Sequence, residues 1–272
     1  MDHPTETIVD SLSDMPQELT ADMKAALKRQ ESRLVSEFQA NKLEAEAKKF
    51  WDKFYKRNEC RFFKDRNWTG REFGELITED TKRKILLEIG CGVGNFLYPL
   101  LKSGFQGFAL ACDLSSKAIE LVKANEDYDA DHINAFASDV TSEDFCDNLI
   151  SNSIDYVTLI FVLSAIHPDK HVNVVKNIFR VLKPGGIVYL RDYGLHDMTQ
   201  LRFQPGHKIS TNFYMRQDGT RSYFFSTEEL ADLFSKTGFQ ILTNSYVNRR
   251  TVNLKENIDV PRIFVQAKVC KP

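Results

Sequence analysis

The most chemically pointed segment of the chain is Ile85-Leu86-Leu87-Glu88-Ile89-Gly90-Cys91-Gly92-Val93-Gly94-Asn95, an apolar run that passes an acidic residue and enters a glycine-rich turn. Glycine permits positive φ and lets a ligand approach the backbone, so such a turn at the end of a strand suits a nucleotide-like molecule. A dinucleotide fingerprint wants its third glycine where Asn95 stands, and here glycine falls one residue early, at Gly94. The spacing argues against a nicotinamide cofactor. Asp113 closes the next apolar run, 19 residues past Gly94, where a carboxylate can accept both hydroxyls of a ribose, with Leu114 beside it. In Ser138-Asp139-Val140 a carboxylate can take an adenine amine while Val140 covers the ring face, and Ile160 lines the opposite side. Singly, Asp113 and Asp139 read equally well as helix N-caps. Together with the glycine turn they read as one site.

The elements that must carry these residues are legible in the pattern. After Lys84, short apolar runs alternate with amphipathic stretches, as βα units building a parallel sheet do. Strands are predicted at Ile85 to Ile89, Phe108 to Cys112, Ile133 to Ala137, Asp155 to Ile160 and Ile187 to Arg191. A helix should follow each of the first four, the last near His171 to Leu182 and stopped by Pro184-Gly185-Gly186. Beyond Asp192 come a polar insertion, a strand at Ser222 to Phe225, a helix at Thr227 to Thr237, and strands near Phe239 to Val247 and Arg262 to Val269. That ending fits a seven-stranded sheet whose last strand inserts antiparallel. Upstream, Leu34, Phe38, Leu43, Ala47, Phe50, Trp51 and Phe54 recur at roughly helical spacing, which predicts helix from Ala21 to about Tyr55. Phe62-Phe63-Lys64-Asp65-Arg66-Asn67-Trp68 fits a structured loop. The division is thus an acidic, disordered tail over 1–20, a helical and basic/aromatic extension over 21–80, and an α/β domain over 81–272.

Composition narrows the class. Hydrophobic residues make up 42% of 272, enough for a substantial core. Val157 to Ile166 is about half of the roughly 20 residues a spanning helix needs, and the acidic start is unlike a secretory signal, so the cytosol or nucleus is the expected compartment. Cys60, Cys91, Cys112, Cys146 and Cys270 include no C-x-x-C pair; they read as reduced, mostly buried thiols, with no metal. The net charge of −2 divides unevenly, because residues 1 to 23 hold six acids and no Lys or Arg. Residues 48 to 71 carry nine Lys or Arg, among them Lys56, Arg57, Arg61, Lys64, Arg66 and Arg71, a cluster suited to phosphates.

A G-x-G-x-G turn after an acidic residue resembles the S-adenosylmethionine site of methyltransferases, since that cofactor has no pyrophosphate to seat. The longer motifs are more specific: Phe50-Trp51-Asp52-Lys53-Phe54-Tyr55-Lys56-Arg57-Asn58, Phe62 to Trp68, Phe161-Val162-Leu163-Ser164-Ala165-Ile166-His167-Pro168, Arg191-Asp192-Tyr193-Gly194 and Arg216-Gln217-Asp218-Gly219-Thr220-Arg221-Ser222-Tyr223-Phe224-Phe225. Over nearly the whole chain they resemble the methyltransferase-like family that makes N3-methylcytidine in the anticodon loop of transfer RNA. The resemblance implies a Rossmann-like, seven-stranded class I fold and S-adenosylmethionine as cofactor. It also implies that Trp51 and Tyr55 reach over the cofactor beside Glu88, Gly90, Gly92, Asp113, Leu114, Asp139, Val140 and Ile160, which makes the extension a lid as well as an RNA arm.

The implied chemistry needs an unpaired base, because N3 of cytosine lies on the Watson–Crick edge. Its in-plane lone pair is already nucleophilic, so positioning can supply most of the catalysis, and a carboxylate can stabilise the cationic product. Asp192 is the first candidate for that carboxylate; the alternative is a structural ion pair with Arg191 or Lys183. His167 is the second catalytic candidate, or else a helix cap. Arg216 and Arg221 bracket Asp218-Gly219 and can project from a hairpin toward phosphates, or decorate a solvated turn. Phe62, Phe63 and Trp68 read as core before stacking platforms. Arg249, Arg250 and Arg262 extend the basic set. Cys91 and Cys112 read as packing. Competing functions are a small-molecule or protein methyltransferase and a silent RNA-binding partner. An aminoacyl-tRNA synthetase of the seryl type is the candidate helper, and no membrane partner is expected.

Overall fold

The computed structural model describes residues 7–14, 16–66, 72–78, 82–253 and 258–272. Asn67, Trp68 and Arg71 lie outside them. Five parallel strands form the centre of the molecule: β2 (Ile85–Ile89), β3 (Phe108–Asp113), β4 (Ile133–Ala137), β5 (Ile154–Ile160) and β6 (Leu182–Tyr193). Parallel neighbours need crossovers, supplied by α4 (Leu97–Lys102), α5 (Ser116–Lys123) and α6 (His171–Val181). The third crossover holds only a 3-10 turn, Glu143–Asn148, where a helix is expected. Asn177 of α6 explains it: its amide donates to the carbonyls of Val140 (2.9 Å) and Ser142 (2.7 Å) and ties the connection to the neighbouring helix.

After β6 come α7 (Met198–Leu201) and the small antiparallel sheet β7 (Lys208–Ser210), β8 (Phe213–Met215) and β9 (Arg221–Tyr223). Helix α8 (Thr227–Ser235) and the hairpin β10 (Gln240–Asn253) and β11 (Ile258–Cys270) follow. Strand β11 enters antiparallel between β6 and β10, as expected. An eighth strand joins the sheet: β1 (Thr7–Ser13) pairs with β10, giving the order β1-β10-β11-β6-β5-β2-β3-β4. The acidic start is therefore ordered over this stretch, because the free edge of β10 offers backbone partners that a composition argument does not see. Strand β6 also begins earlier than expected, before Pro184-Gly185-Gly186. The positive φ of Gly185 (+76°) and its N–H bond to the Lys271 carbonyl (2.7 Å) absorb the turn within the strand.

Both faces of the central strands are covered, which is why they read as continuous apolar runs. Leu87, Ile89, Leu159 and Leu190 pack with Val174, Ile178, Leu230 and Phe234 of α6 and α8. On the other face Leu86, Ala109 and Ala111 meet Leu97, Leu100, Ile119 and Val122 of α4 and α5. The extension is three helices rather than one: α1 (Ala21–Gln30), α2 (Glu37–Ala45) and α3 (Ala47–Asn58). The first break falls where Ser36 caps α2, its side chain accepting from the Gln39 N–H at 3.3 Å. The second is a single residue, Glu46, with ψ of 16°.

Candidate active site

The glycine turn leaves β2 with three consecutive alternate residues at positive φ: Gly90 (+68°), Gly92 (+56°) and Gly94 (+87°). A Cβ on Gly90 would overlap the Val162 methyls, and one on Gly92 would lie 2.8 Å from the Tyr55 hydroxyl. The turn is so close to both neighbours that only glycine fits. Asp113 holds it in place: one carboxylate oxygen accepts the Gly92 N–H (2.9 Å) and the other the Ser115 N–H (2.8 Å). Burial pushes this carboxyl up to about 6, against the pull of those two N–H groups. The cap of α5 is Ser115, whose hydroxyl accepts from the Ala118 N–H, so Asp113 is not the N-cap. Asp139 accepts from both the N–H (2.9 Å) and the hydroxyl (2.8 Å) of Thr141 and is exposed, a local turn and likewise no helix cap.

Helix α3 lies across this turn. Phe54 and Tyr55 pack on Val93 and Ala118, Trp51 stacks on Tyr55 with ring centroids 5.9 Å apart, and Asp52 accepts from the Ser115 hydroxyl at 2.6 Å. Beneath it is a cavity of about 370 Å³, and against that a smaller pocket of about 50 Å³. Trp51, Tyr55, Gly90 and Phe161 wall both. Asp113, Leu114, Asp139, Val140 and His167 line the larger, and Glu88, Gly92 and Ile160 the smaller. All ten expected cofactor residues thus meet in one place, from segments that the sheet order brings to its carboxyl edge.

The site fits S-adenosylmethionine. Its volume lies in the usual range for such ligands, roughly 300 to 1,000 Å³. One oxygen of Glu88 is buried with no hydrogen-bond partner, and burial pushes this carboxyl up to about 8, with Arg66 opposing. That orphaned oxygen is where a cationic ligand group would bind, and the cofactor carries an ammonium group and a sulfonium.

The other expected site residues divide. His167 lines the larger cavity and also caps the short Pro168–Lys170 turn, its Nδ1 accepting from the Asp169 N–H at 3.3 Å. Asp192 lines neither pocket. It is fully buried, accepts the N–H groups of Ser164 (2.9 Å) and Tyr193 (2.8 Å), and is pushed up to about 6 by burial. Nor is it an ion-pair partner of Lys183, which binds Asp155 at 2.8 Å. Asp192 holds the Phe161–Ile166 turn from below while His171, neutral and pushed down to about 4 by burial, holds it through the carbonyls of Leu163 (3.0 Å) and Ile166 (3.2 Å). Asp192→Asn is therefore expected to weaken cofactor binding and turnover together, because its amide N–H₂ would face a backbone N–H. Unchanged cofactor affinity with turnover lost would restore a direct role.

Among the basic residues, Lys56, Arg57, Arg61 and Lys64 are exposed. Three others turn inward. Arg66 is half-buried, 4.8 Å over the Phe161 ring in the smaller pocket. Arg216 lies 5.4 Å over Tyr193 in the same pocket. Arg221 is 6% exposed and paired with Glu44, so it pins the fold and does not reach out toward phosphates. Arg262 is likewise engaged, with Asp197 at 2.9 Å. Phe62 is 57% exposed and Phe63 packs against the Phe54 cluster, so only the second is core. Sequence reasoning missed Phe161, a non-glycine at φ +59° between the two pockets, and Glu44. Backbone strain of that kind leaves no local signal, and Glu44 is one charge among many on an exposed helix.

The sheet order and this site define a class I, Rossmann-like methyltransferase that uses S-adenosylmethionine, and residues 65–244 match the family described as "Methyltransferase domain". Human tRNA N(3)-cytidine methyltransferase METTL6 is 53% identical over 93% of this chain and 90% of its own length. The tRNA N(3)-methylcytidine methyltransferase trm140 of Schizosaccharomyces pombe is 44% identical over 82% of this chain and 74% of its own. The chain belongs to the tRNA N(3)-cytidine methyltransferase family. A solved S-adenosylmethionine-dependent methyltransferase from Anabaena variabilis shares the fold with a TM-score of 0.62 at 14% identity, over 83% of this chain and 95% of that one.

Proposed function

We infer that this protein methylates N3 of a cytidine in transfer RNA, and we propose that the cytidine lies in the anticodon loop. The observation that carries the reading is the pair of joined pockets: a cofactor-sized cavity continuing past Tyr55 into a small pocket walled by Phe63, Phe161 and Tyr193. Aromatic walls suit a base lifted from its stack, and a loop nucleotide is the least costly to lift. When bound, S-adenosylmethionine supplies an electrophilic methyl group. Glu88 would hold its ammonium end and Asp113 its ribose, and Trp51 with Tyr55 would exclude water from above. No general base is needed to make neutral cytosine nucleophilic, so the chain's work is alignment. The negative potential of Asp192 beneath the turn favours the cationic product. Arg66 and Arg216, held over ring faces, are placed to grip the flanking phosphates.

The decisive experiment gives the purified protein labelled cofactor and total transfer RNA from cells lacking the corresponding gene, then identifies and maps the labelled nucleoside by mass. N3-methylcytidine in the anticodon loop supports the reading; another labelled nucleoside or position overturns it. The exposed ridge Lys56, Arg57, Arg61 and Lys64 is proposed to track the RNA backbone. Neutralising each singly to Gln is expected to lower transfer RNA affinity and to reduce the magnitude of the log-affinity against log-salt slope by about one. An unchanged slope removes that residue from the interface. Because this ridge is modest and the net charge is −2, we propose a seryl-type aminoacyl-tRNA synthetase as a helper that adds RNA affinity. We place the protein in the cytosol and the nucleus, where its substrate is made and used; among the described residues no helix is long and apolar enough to cross a membrane.

A further inference from the structure

The larger cavity is roofed by the chain from Glu44 to Tyr55, with Ala45, Ala47, Lys48 and Trp51 facing it. The cavity is partly open, so the firmness of this strip's fastenings decides how well a ligand beneath it is covered. At the far end it is pinned by Asp52, which accepts from the Ser115 hydroxyl (2.6 Å) and the Lys117 N–H (3.3 Å), and by the Phe54–Tyr55 packing. At the near end the fastening is ionic. One oxygen of Glu44 takes Lys170 Nζ at 2.5 Å and the other takes Arg221. Lys170 follows β5 and Arg221 sits on β9, so a single carboxylate joins α2 to two separate segments of the methyltransferase domain.

Arg221 has a support of its own besides Glu44. The Arg221 guanidinium lies 5.5 Å over the Phe213 ring, and Lys170 closes the short turn capped by His167. They hold the Glu44 carboxyl below the ordinary range although burial pushes it up. The helix break at Glu46 lies immediately beyond the clasp, between it and Trp51. Helix α1 and the loop after it have fastenings of their own: the Gln30 amide donates to the Gln200 carbonyl (2.8 Å), and Arg33 to the Pro205 carbonyl (3.0 Å). Releasing Glu44 would therefore loosen the near end of the roof strip, while α1 stays attached and the far end stays pinned through Asp52, Phe54 and Tyr55.

We propose that Glu44 is a positioning residue for the cofactor: by bridging Lys170 and Arg221 it holds the roof strip shut over the cavity and sets how fast a bound adenosyl ligand leaves. This rests on the reading of the cavity as the cofactor site. Breaking a half-buried charge pair acts mainly on dissociation, so full-length Glu44→Gln is expected to release S-adenosylhomocysteine about tenfold faster than wild type, and to bind it correspondingly more weakly. Dissociation is followed by stopped-flow tryptophan fluorescence, to which cavity-lining Trp51 contributes, and affinity by calorimetry. Lys170→Gln, which removes one arm at a side chain 43% exposed, should give a smaller acceleration and add little on top of Glu44→Gln. Glu31→Gln, which breaks the α1 pair with Lys208, should leave release unchanged. Wild-type release rates in Glu44→Gln overturn the proposal, whatever its melting temperature, and wild-type rates in Lys170→Gln do so if Glu44→Gln fails to fold. If wild type itself does not bind S-adenosylhomocysteine, the assignment of the cavity fails instead.

Discussion

Gly90→Ala is expected to weaken S-adenosylmethionine binding by about a hundredfold, while Gly74→Ala leaves it unchanged. An alanine at Gly90 would have to hold φ of +68°, which costs roughly 1–2 kcal/mol for an L-residue. Its methyl would also overlap Val162, with Cγ1 only 2.9 Å away. Val162 lies in the turn held by Asp192 and His171 and lines the larger cavity, so it has little freedom to retreat. Relief must come from the turn itself, and overpacking of a fixed neighbour costs about 1–3 kcal/mol more. At Gly74 a Cβ meets nothing within 4 Å. Calorimetric titration of both variants checks the contrast, and equal affinities would mean that the turn does not carry the ligand.

Glu88→Gln should do two opposite things. In the folded, ligand-free chain Glu88 sits at about 8, against an ordinary value of 4.5. Between those values the unfolded chain has released the proton that the folded chain still keeps. The contribution of Glu88 to stability is therefore greatest below about 4.5 and falls as pH rises toward 8. Glutamine has no proton to lose, so the ligand-free variant should melt on the order of 5 °C higher than wild type at pH 8, and differ little at pH 4.5. The same change removes the carboxyl proposed to hold the cofactor's ammonium group, and affinity should drop roughly 10- to 100-fold. Scanning calorimetry across pH, paired with titration at pH 8, reads both effects. A variant no more stable than wild type at pH 8 would mean that Glu88 is already compensated in the ligand-free protein. Such a trade is expected where a buried group is kept for a ligand and not for the fold.

The central sheet was legible because its signals are local. The strands that lead to Gly90, Asp113 and Ile160 are largely apolar runs with both faces covered, and each chemical position, Gly90, Asp113, Asp139 and Ile160, falls at or just past the end of a strand. Parallel strands place those ends along one edge, so chain order alone brings the four together. The pairing of β1 with β10 had no such signal, since an edge is claimed through backbone hydrogen bonds that any sequence can offer.

What the sequence by itself determined is the class of ligand: three glycines after an acidic strand end, and two aspartates at the right intervals, admit an adenosyl cofactor and disfavour a dinucleotide. What only the tertiary structure decided is the direction in which each charge points. Arg66 follows exposed Lys64 and Asp65, yet it turns onto Phe161. Arg221 looks like a hairpin-tip cation and is buried against Glu44, 177 residues away in the chain. Asp192, at the end of its strand like Asp113, points beneath the pocket to hold a turn. Long-range pairing decides such cases, because a charge is buried only where a partner from elsewhere in the fold offsets its lost hydration, and neither composition nor spacing records where that partner will be.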